Sequence, residues 1–275
     1  MTPEEYKKFA KMPREYKNGL VRAINDHFEN NKQYNVPRAQ LIIADIPYNL
    51  SVNAFASNPM WYKDGDNKNG ESDLAGKSFF NTDEDFRVSN LFHFCSRLLK
   101  DEPKEKTGKT GQTAPCMIVF CAFQQMHDVI ECAKQYGFNH YIPLQWYKNY
   151  SAQVLKANMK VVGNTEYALL FYKNRLPKFN NNGAMVFNNK PWIDDPNTVP
   201  KVHSTQKPIG VLKQLILLHT DPDDVVIDPC CGSGSTLAAS AQCGRKAVGF
   251  EIDKHFFHEM TTKYLPEMIK QKDLF

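Results

Sequence analysis

Two short stretches combine residue types that can do chemistry: Asp45-Ile46-Pro47-Tyr48 and Asp228-Pro229-Cys230-Cys231-Gly232-Ser233-Gly234. In the first, an acid leads into a stiff turn and an aromatic ring. An amino group conjugated to an aromatic base is a poor nucleophile, because its lone pair is delocalised into the ring. Asp45 can accept one amino hydrogen and the Ile46 carbonyl the other, bending the nitrogen towards tetrahedral geometry. Pro47 stiffens the turn, and Tyr48 offers a ring face on which a base can stack. A base inside a duplex cannot reach such a group, so this chemistry requires extrusion of the base. Taken singly, Asp-Ile-Pro-Tyr is an ordinary turn after a strand.

The second stretch suits a nucleoside. Gly232 and Gly234 permit positive φ and close approach of backbone to ligand. Ser235 and Thr236 fall at the start of the next helical segment, where free amide groups favour electronegative atoms. Glu251, followed by Ile252, comes about twenty residues on, the spacing at which a nucleotide-binding βαβ unit sets an acid on ribose hydroxyls. There is neither a Gly-x-Gly-x-x-Gly fingerprint nor a Gly-Lys-Ser/Thr phosphate loop, so no phosphate cradle is expected. Asp228, Cys230, Gly232, Gly234, Ser235, Thr236, Glu251 and Ile252 are the cofactor-side candidates.

These turns must be held by something. Each directly follows a short apolar run, Leu41-Ile42-Ile43-Ala44 or Val225-Val226-Ile227, which reads as a buried parallel strand whose carboxyl end opens onto a site. Further strands are expected at Met117–Phe120, Tyr141–Tyr147, Tyr167–Tyr172 and Ala247–Phe250. Helices are expected over Tyr16–Asn30, Glu84–Leu99, Gln124–Gln135, Ser235–Gln242, from Pro208 and from Asp253. That alternation predicts an α/β fold, a mostly parallel sheet with helices on both faces. Residues 1–36 read as an N-terminal extension. Asn49–Asp85, polar but studded with aromatics, reads as a substrate-covering loop. The Asn- and Pro-rich stretch Lys173–Val202 shows no core pattern.

Composition bounds the rest. The chain has 275 residues, 42% hydrophobic and 23% charged, with a formal net charge of +4, all ordinary for a globular protein and permissive of a nucleic-acid partner without requiring one. No apolar run approaches the roughly 18 residues of a membrane span, and Met1–Tyr6 has no signal-peptide profile. Seven cysteines without a Cys-x-x-Cys pair point to a reduced, cytoplasmic protein without structural metal. His203, His219 and His255 show no ligand spacing.

Together with His203-Ser204-Thr205-Gln206-Lys207-Pro208, the two turns make the chain resemble the β-class S-adenosylmethionine-dependent DNA amino-methyltransferases. That family carries an Asp-Pro-Pro-Tyr-type catalytic motif first and an Asp-Pro-Phe-x-Gly-Ser-Gly cofactor motif last, preceded by a His-Pro-Thr-Gln-Lys-Pro-type segment. Trp146–Asn149 and Glu166–Lys173 are similar to its intermediate segments, so the likeness spans roughly residues 40–260. Two departures stand out: Ile46 in place of the first proline, and Cys230 in place of the aromatic.

The resemblance implies a Rossmann-like methyltransferase domain with a catalytic half at residues 37–172, a target-recognition segment at 173–202 and a cofactor half at 203–275. It implies S-adenosylmethionine as donor, bound also by Thr205 and Lys207, with S-adenosylhomocysteine as product and no metal. Double-stranded DNA is the implied partner, met by Asn49, Lys148, Lys178, Lys190 and Lys201. Relatives often form homodimers and are bacterial or phage-encoded; some serve restriction-modification systems.

Asp45 favours adenine N6 as target, where Ser usually accompanies cytosine N4 in this family. Cytosine N4 is the neighbouring alternative, and an idle nucleotide-binding DNA-recognition module the remote one. Cytosine C5 chemistry would need Cys116 as nucleophile, but Pro115-Cys116 runs into an apolar strand and reads as structural.

Overall fold

The computed structural model describes residues 12–48, 86–104, 113–147, 165–181, 194, 198–202 and 206–270. The strands β1 (Glu15–Asn18), β2 (Val21–Ile24), β3 (Leu41–Asp45), β4 (Cys116–Phe120), β5 (His140–Tyr147), β6 (Thr165–Tyr172), β7 (Val225–Asp228) and β8 (Lys246–Phe250) form one sheet. Their order is β1-β2-β8-β7-β3-β4-β6-β5. β2, β8, β7, β3 and β4 run parallel; β1 and β6 run against them at the two ends, and β5 pairs antiparallel with β6 at the far edge.

The central strands are apolar throughout because both faces are covered. On β3, Ile42 and Ala44 pack beneath α1 (Val88–Leu98) and α2 (Met126–Gln135). Leu41 and Ile43 face α3 (Ile209–His219), and α4 (Ser235–Gln242) lies beside it. Fully burying an aliphatic side chain contributes about 1.5–3 kcal/mol, so β3 and β4 anchor the domain. Cys116 is fully buried in this core, which agrees with its structural reading. Beyond β8 the chain closes with α5 (Lys254–Glu259), a π-helical turn at Met260–Tyr264 and α6 (Leu265–Lys270). No helix of the described residues is long and apolar enough to cross a membrane.

Three expectations are corrected. The helix over Tyr16–Asn30 is instead the β1–β2 hairpin followed by a 3-10 turn at Phe28–Gln33. A two-residue Gly19-Leu20 loop joins the strands, with Gly19 at φ +54°, and β2 buries Val21, Ala23 and Ile24 beside β8. Part of the presumed N-terminal extension is thus sheet. The stretch 173–202 also contributes core. Val199 packs with Leu237 and Met260, and the Asp194 carboxylate accepts the Ile209 N–H at 2.8 Å, capping α3. Finally, residues 173–180 lie along the amino ends of the strands, where the Lys178 N–H donates to the Ala114 carbonyl at 2.9 Å.

Candidate active site

From β3 the chain moves outward to β4, and from β7 it moves the opposite way to β8, although β3 and β7 are neighbours. Such a reversal of strand order opens a crevice at the carboxyl ends, where ligands bind in open α/β sheets. Asp45 ends β3 and Asp228 ends β7, so both turns open at this point. Burial raises the proton affinity of both Asp228 and Cys230, and the nearby Asp45 charge adds to it. The two turns thus end neighbouring strands at the same strand-order reversal.

Ile46 is buried, and its N–H donates to the Phe120 carbonyl at 3.2 Å, adding a rung to the β3–β4 ladder that proline could not make. Rigidity that a first proline would give the turn comes from elsewhere. Gln125, in a 3-10 turn at Phe123–Gln125, donates through its amide to the Pro47 carbonyl at 2.9 Å. The Gln125 side-chain oxygen accepts the Ala122 N–H at 3.1 Å, which fixes the Gln125 side chain in turn.

Period-two alternation sets Asp45 on the α3 side of the sheet, in line with Leu41 and Ile43, and sets Glu166 of β6 there as well, in line with Ala168 and Leu170. Lys207, just before α3, reaches in from across. Its ammonium donates to Asp45 Oδ2 at 2.6 Å and lies 3.7 Å from Glu166. It also sits 5.5 Å from the ring centres of both Tyr48 and Phe120. Trp146, fully buried, stands edge-on to Phe120 with ring centres 4.9 Å apart. Burial works against charge on Lys207, but Asp45 and Glu166 outweigh it and hold the group well above the ordinary lysine value. Burial also pushes the Tyr48 hydroxyl up, so it stays neutral.

In the cofactor turn, Gly232 has φ +47° and nothing within 4 Å of where a Cβ would stand. Its N–H donates to Glu251 Oε2 at 2.8 Å, and the Asp253 N–H donates to Oε1 at 2.7 Å. Each carboxylate oxygen accepts about two hydrogen bonds, so a properly held Glu251 can still receive hydroxyls. Gly234, at φ +81°, caps α4 against Met260, whose side chain would lie 2.8 Å from an added Cβ. Ser235 and Thr236 are buried at the start of α4, and Ser235 lies 2.8 Å from Ser233 and 3.4 Å from the Tyr264 hydroxyl. The π-helical turn thus braces this loop through Met260 and Tyr264, a common place for such a turn. Asp228 accepts the Cys230 N–H at 3.0 Å. Burial pushes both Asp228 and Glu251 up to about 7, against the backbone amides that they accept. Ile252, half exposed, stands beside Glu251. Open backbone at Gly232 beside an aligned acid fits a nucleoside carrying hydroxyls.

The structure therefore brings Asp45, Ile46, Pro47, Tyr48, Lys207, Asp228, Cys230, Gly232, Gly234, Ser235, Thr236, Glu251 and Ile252 to one edge. Lys207 meets the catalytic turn, although the sequence assigned it to the cofactor. Lys178 is at the opposite edge, ion-paired with Asp221. Lys201 is exposed beside Val202, whose N–H donates to Gln206 at 3.2 Å. Asn49, Lys148, Lys190, Thr205 and the whole 49–85 loop lie outside the described residues. Glu166, Gln125 and Trp146 were not among the site candidates, although Trp146 and Glu166 open the two segments similar to the family's. Glu166 did leave a signal, as an acid on the inward-facing register of an otherwise apolar strand.

Residues 39–262 match the model of the N6/N4 methyltransferase family, described as DNA methylase. The DNA adenine methyltransferase YhdJ of Escherichia coli (strain K12) is 25% identical over 235 residues, covering 78% of this chain and 72% of YhdJ. The type II methyltransferase M2.MboI of Moraxella bovis is 39% identical over 77 residues, 26% of this chain and 28% of that protein. Among solved structures, M1.HpyAVI in complex with SAM matches with a TM-score of 0.61 at 19% identity, over 89% of this chain and 98% of that one. The cytosine-N4-specific PvuII DNA methyltransferase matches with a TM-score of 0.56 at 14% identity, over 94% of each chain. At these identities the structural likeness speaks for a shared Rossmann-like methyltransferase fold. With the family match covering most of its length, the chain belongs to the N6/N4 DNA methylases, a family that depends on S-adenosylmethionine.

Proposed function

We infer that this chain methylates the N6 amino group of adenine extruded from double-stranded DNA, using S-adenosylmethionine. One observation carries this reading: a carboxylate, Asp45, stands at the strand-order reversal with 27% of its side chain open, opposite a turn suited to a nucleoside. Glu251 and the Gly232 backbone would hold the donor's ribose side, and Asp228 with Ser235 and Thr236 the adjoining wall. When bound, S-adenosylmethionine supplies an electrophilic sulfonium methyl group.

Asp45 accepts an amino hydrogen of the target base and so turns the nitrogen's lone pair out of the ring. Positive charge that builds on that nitrogen during transfer meets the Asp45 carboxylate, a group held in place by Lys207 at 2.6 Å. Tyr48 offers its ring face to the extruded base, and the neutral hydroxyl leaves that surface uncharged. Adenine is preferred because the acceptor is a carboxylate and because YhdJ, alike over most of this chain, is named an adenine methyltransferase.

The test is mass spectrometry of nucleosides from DNA treated with the protein and labelled donor. N6-methyl-2′-deoxyadenosine is expected. N4-methyl-2′-deoxycytidine would overturn the choice of base, and an Asp45→Asn protein that methylates at the wild-type rate would overturn the mechanism.

A further inference from the structure

We propose that Lys207 is a positioning residue of the catalytic turn, not a ligand of the methyl donor, and that Glu166 anchors it from behind. This rests on Asp45 being the acceptor for the target amino group. The motif assigned Lys207 to the cofactor, yet its ammonium donates to Asp45 Oδ2 at 2.6 Å and lies 3.7 Å from Glu166. The Lys207 side chain is only 8% exposed, and two ring faces 5.5 Å away enclose the ammonium. The backbone on either side is fixed: the Gln206 side chain bridges the Val202 N–H and the Pro200 carbonyl, and Asp194 caps Ile209. A lysine held at both ends of its reach has little freedom to follow a ligand.

Two consequences follow for Asp45. Binding Oδ2 fixes the rotation of the carboxylate, and so the direction in which Oδ1 receives the amino hydrogen. The positive charge also favours the ionised form, the only form in which Asp45 accepts on both oxygens. Tyr48 from the turn, Cys121 after β4, Glu166 from β6 and Asp228 from β7 also face Asp45 or its field, so Lys207 is the cation among these described groups.

Single-turnover methyl transfer at saturating donor and DNA, measured from pH 5 to 9, tests the assignment alongside donor affinity by calorimetry. Lys207→Met is expected to slow transfer by up to about 100-fold, the scale of a misplaced reacting group. Its donor affinity should stay within about threefold of wild type, since the lost contact acts on the transition state. Its rate should also begin to fall on the acid side at a higher pH than in the wild type, and Lys207→Arg should restore the wild-type pH profile. Glu166→Gln, which keeps shape and removes only charge, is expected to slow transfer more weakly and to move the acid limb to lower pH, because it removes a like charge near Asp45 while Lys207 stays protonated; it serves if Lys207→Met does not fold. Weakened donor binding with an unchanged rate and pH profile of the loaded enzyme would overturn the proposal, as would a wild-type profile in Glu166→Gln. An Asp45→Asn protein with full activity instead sinks the reading on which it rests, whereas an inactive Asp45→Asn beside a wild-type-like Lys207→Met sinks only the proposal.

Discussion

Gly232 and Gly234 sit two positions apart in the same turn, yet their surroundings give them different tasks. Both have positive φ, a conformation that costs an L-residue about 1–2 kcal/mol. At Gly234 an added Cβ also meets Met260, whereas at Gly232 it points into open space. Gly234→Ala is therefore expected to lower the melting temperature by roughly 2–8 °C for a chain of this size, read by thermal denaturation without ligand. Gly232→Ala should cost less stability and weaken donor binding more, as seen by titration calorimetry. Equal melting temperatures and equal donor affinities for the two proteins would show that the open space beside Gly232 is not where the donor lies.

The 3-10 turn at Phe123–Gln125 shows how one element disciplines another. Its Gln125 grips the Pro47 carbonyl, while the β3–β4 ladder holds Ile46 one residue earlier. Replacing proline with isoleucine thus moves the source of rigidity from the ring of residue 46 to a neighbouring element. Gln125→Ala removes a hydrogen bond with a net value of about 1 kcal/mol, so the fold should survive. Its turnover should fall several-fold, within the roughly 100-fold limit for misplacing a reacting group, with donor affinity unchanged. Steady-state kinetics with DNA and donor varied separately will distinguish this from a general loosening, which would raise both Michaelis constants. The element was expected from the sequence as a helix start at Gln124; its reach to Pro47 was not, because the two residues are 78 positions apart.

Across the whole domain, the buried acids Asp228 and Glu251 tie stability to pH. Burial raises both from the values 3.8 and 4.5 to about 7. A raised carboxyl binds more protons folded than unfolded, so its contribution is complete below its unfolded value and fades as pH rises through about 7. The unliganded protein is expected to lose part of its thermal stability between about pH 4.5 and pH 7, and Glu251→Gln should flatten that decline. Ribose hydroxyls donate to an ionised carboxylate. Donor affinity should therefore increase with pH, by at most about tenfold per unit for one proton, and level off above about 7. Calorimetry in buffers of different ionisation enthalpy should register release of up to one proton near pH 6; no release would mean that Glu251 is not ionised on binding.

Much of this arrangement was legible in residue order. Leu41–Asp45 and Val225–Asp228 are apolar runs ended by acids and turns, and local packing needs leave such runs few alternatives to buried strands. The Asn18-Gly19 dipeptide also carried a hairpin signal that the polar surroundings of residues 15–30 masked. What residue order could not settle is which strand ends meet. Strand order follows from burying surface between segments far apart in the chain, so the adjacency of β3 and β7 exists only once the sheet has formed. The same holds for Lys207, whose nearest motif neighbours suggested one partner while folding set it against Asp45, 162 residues away. A side chain's chemistry is written locally, but the charge that it meets is chosen by the packing of the whole chain.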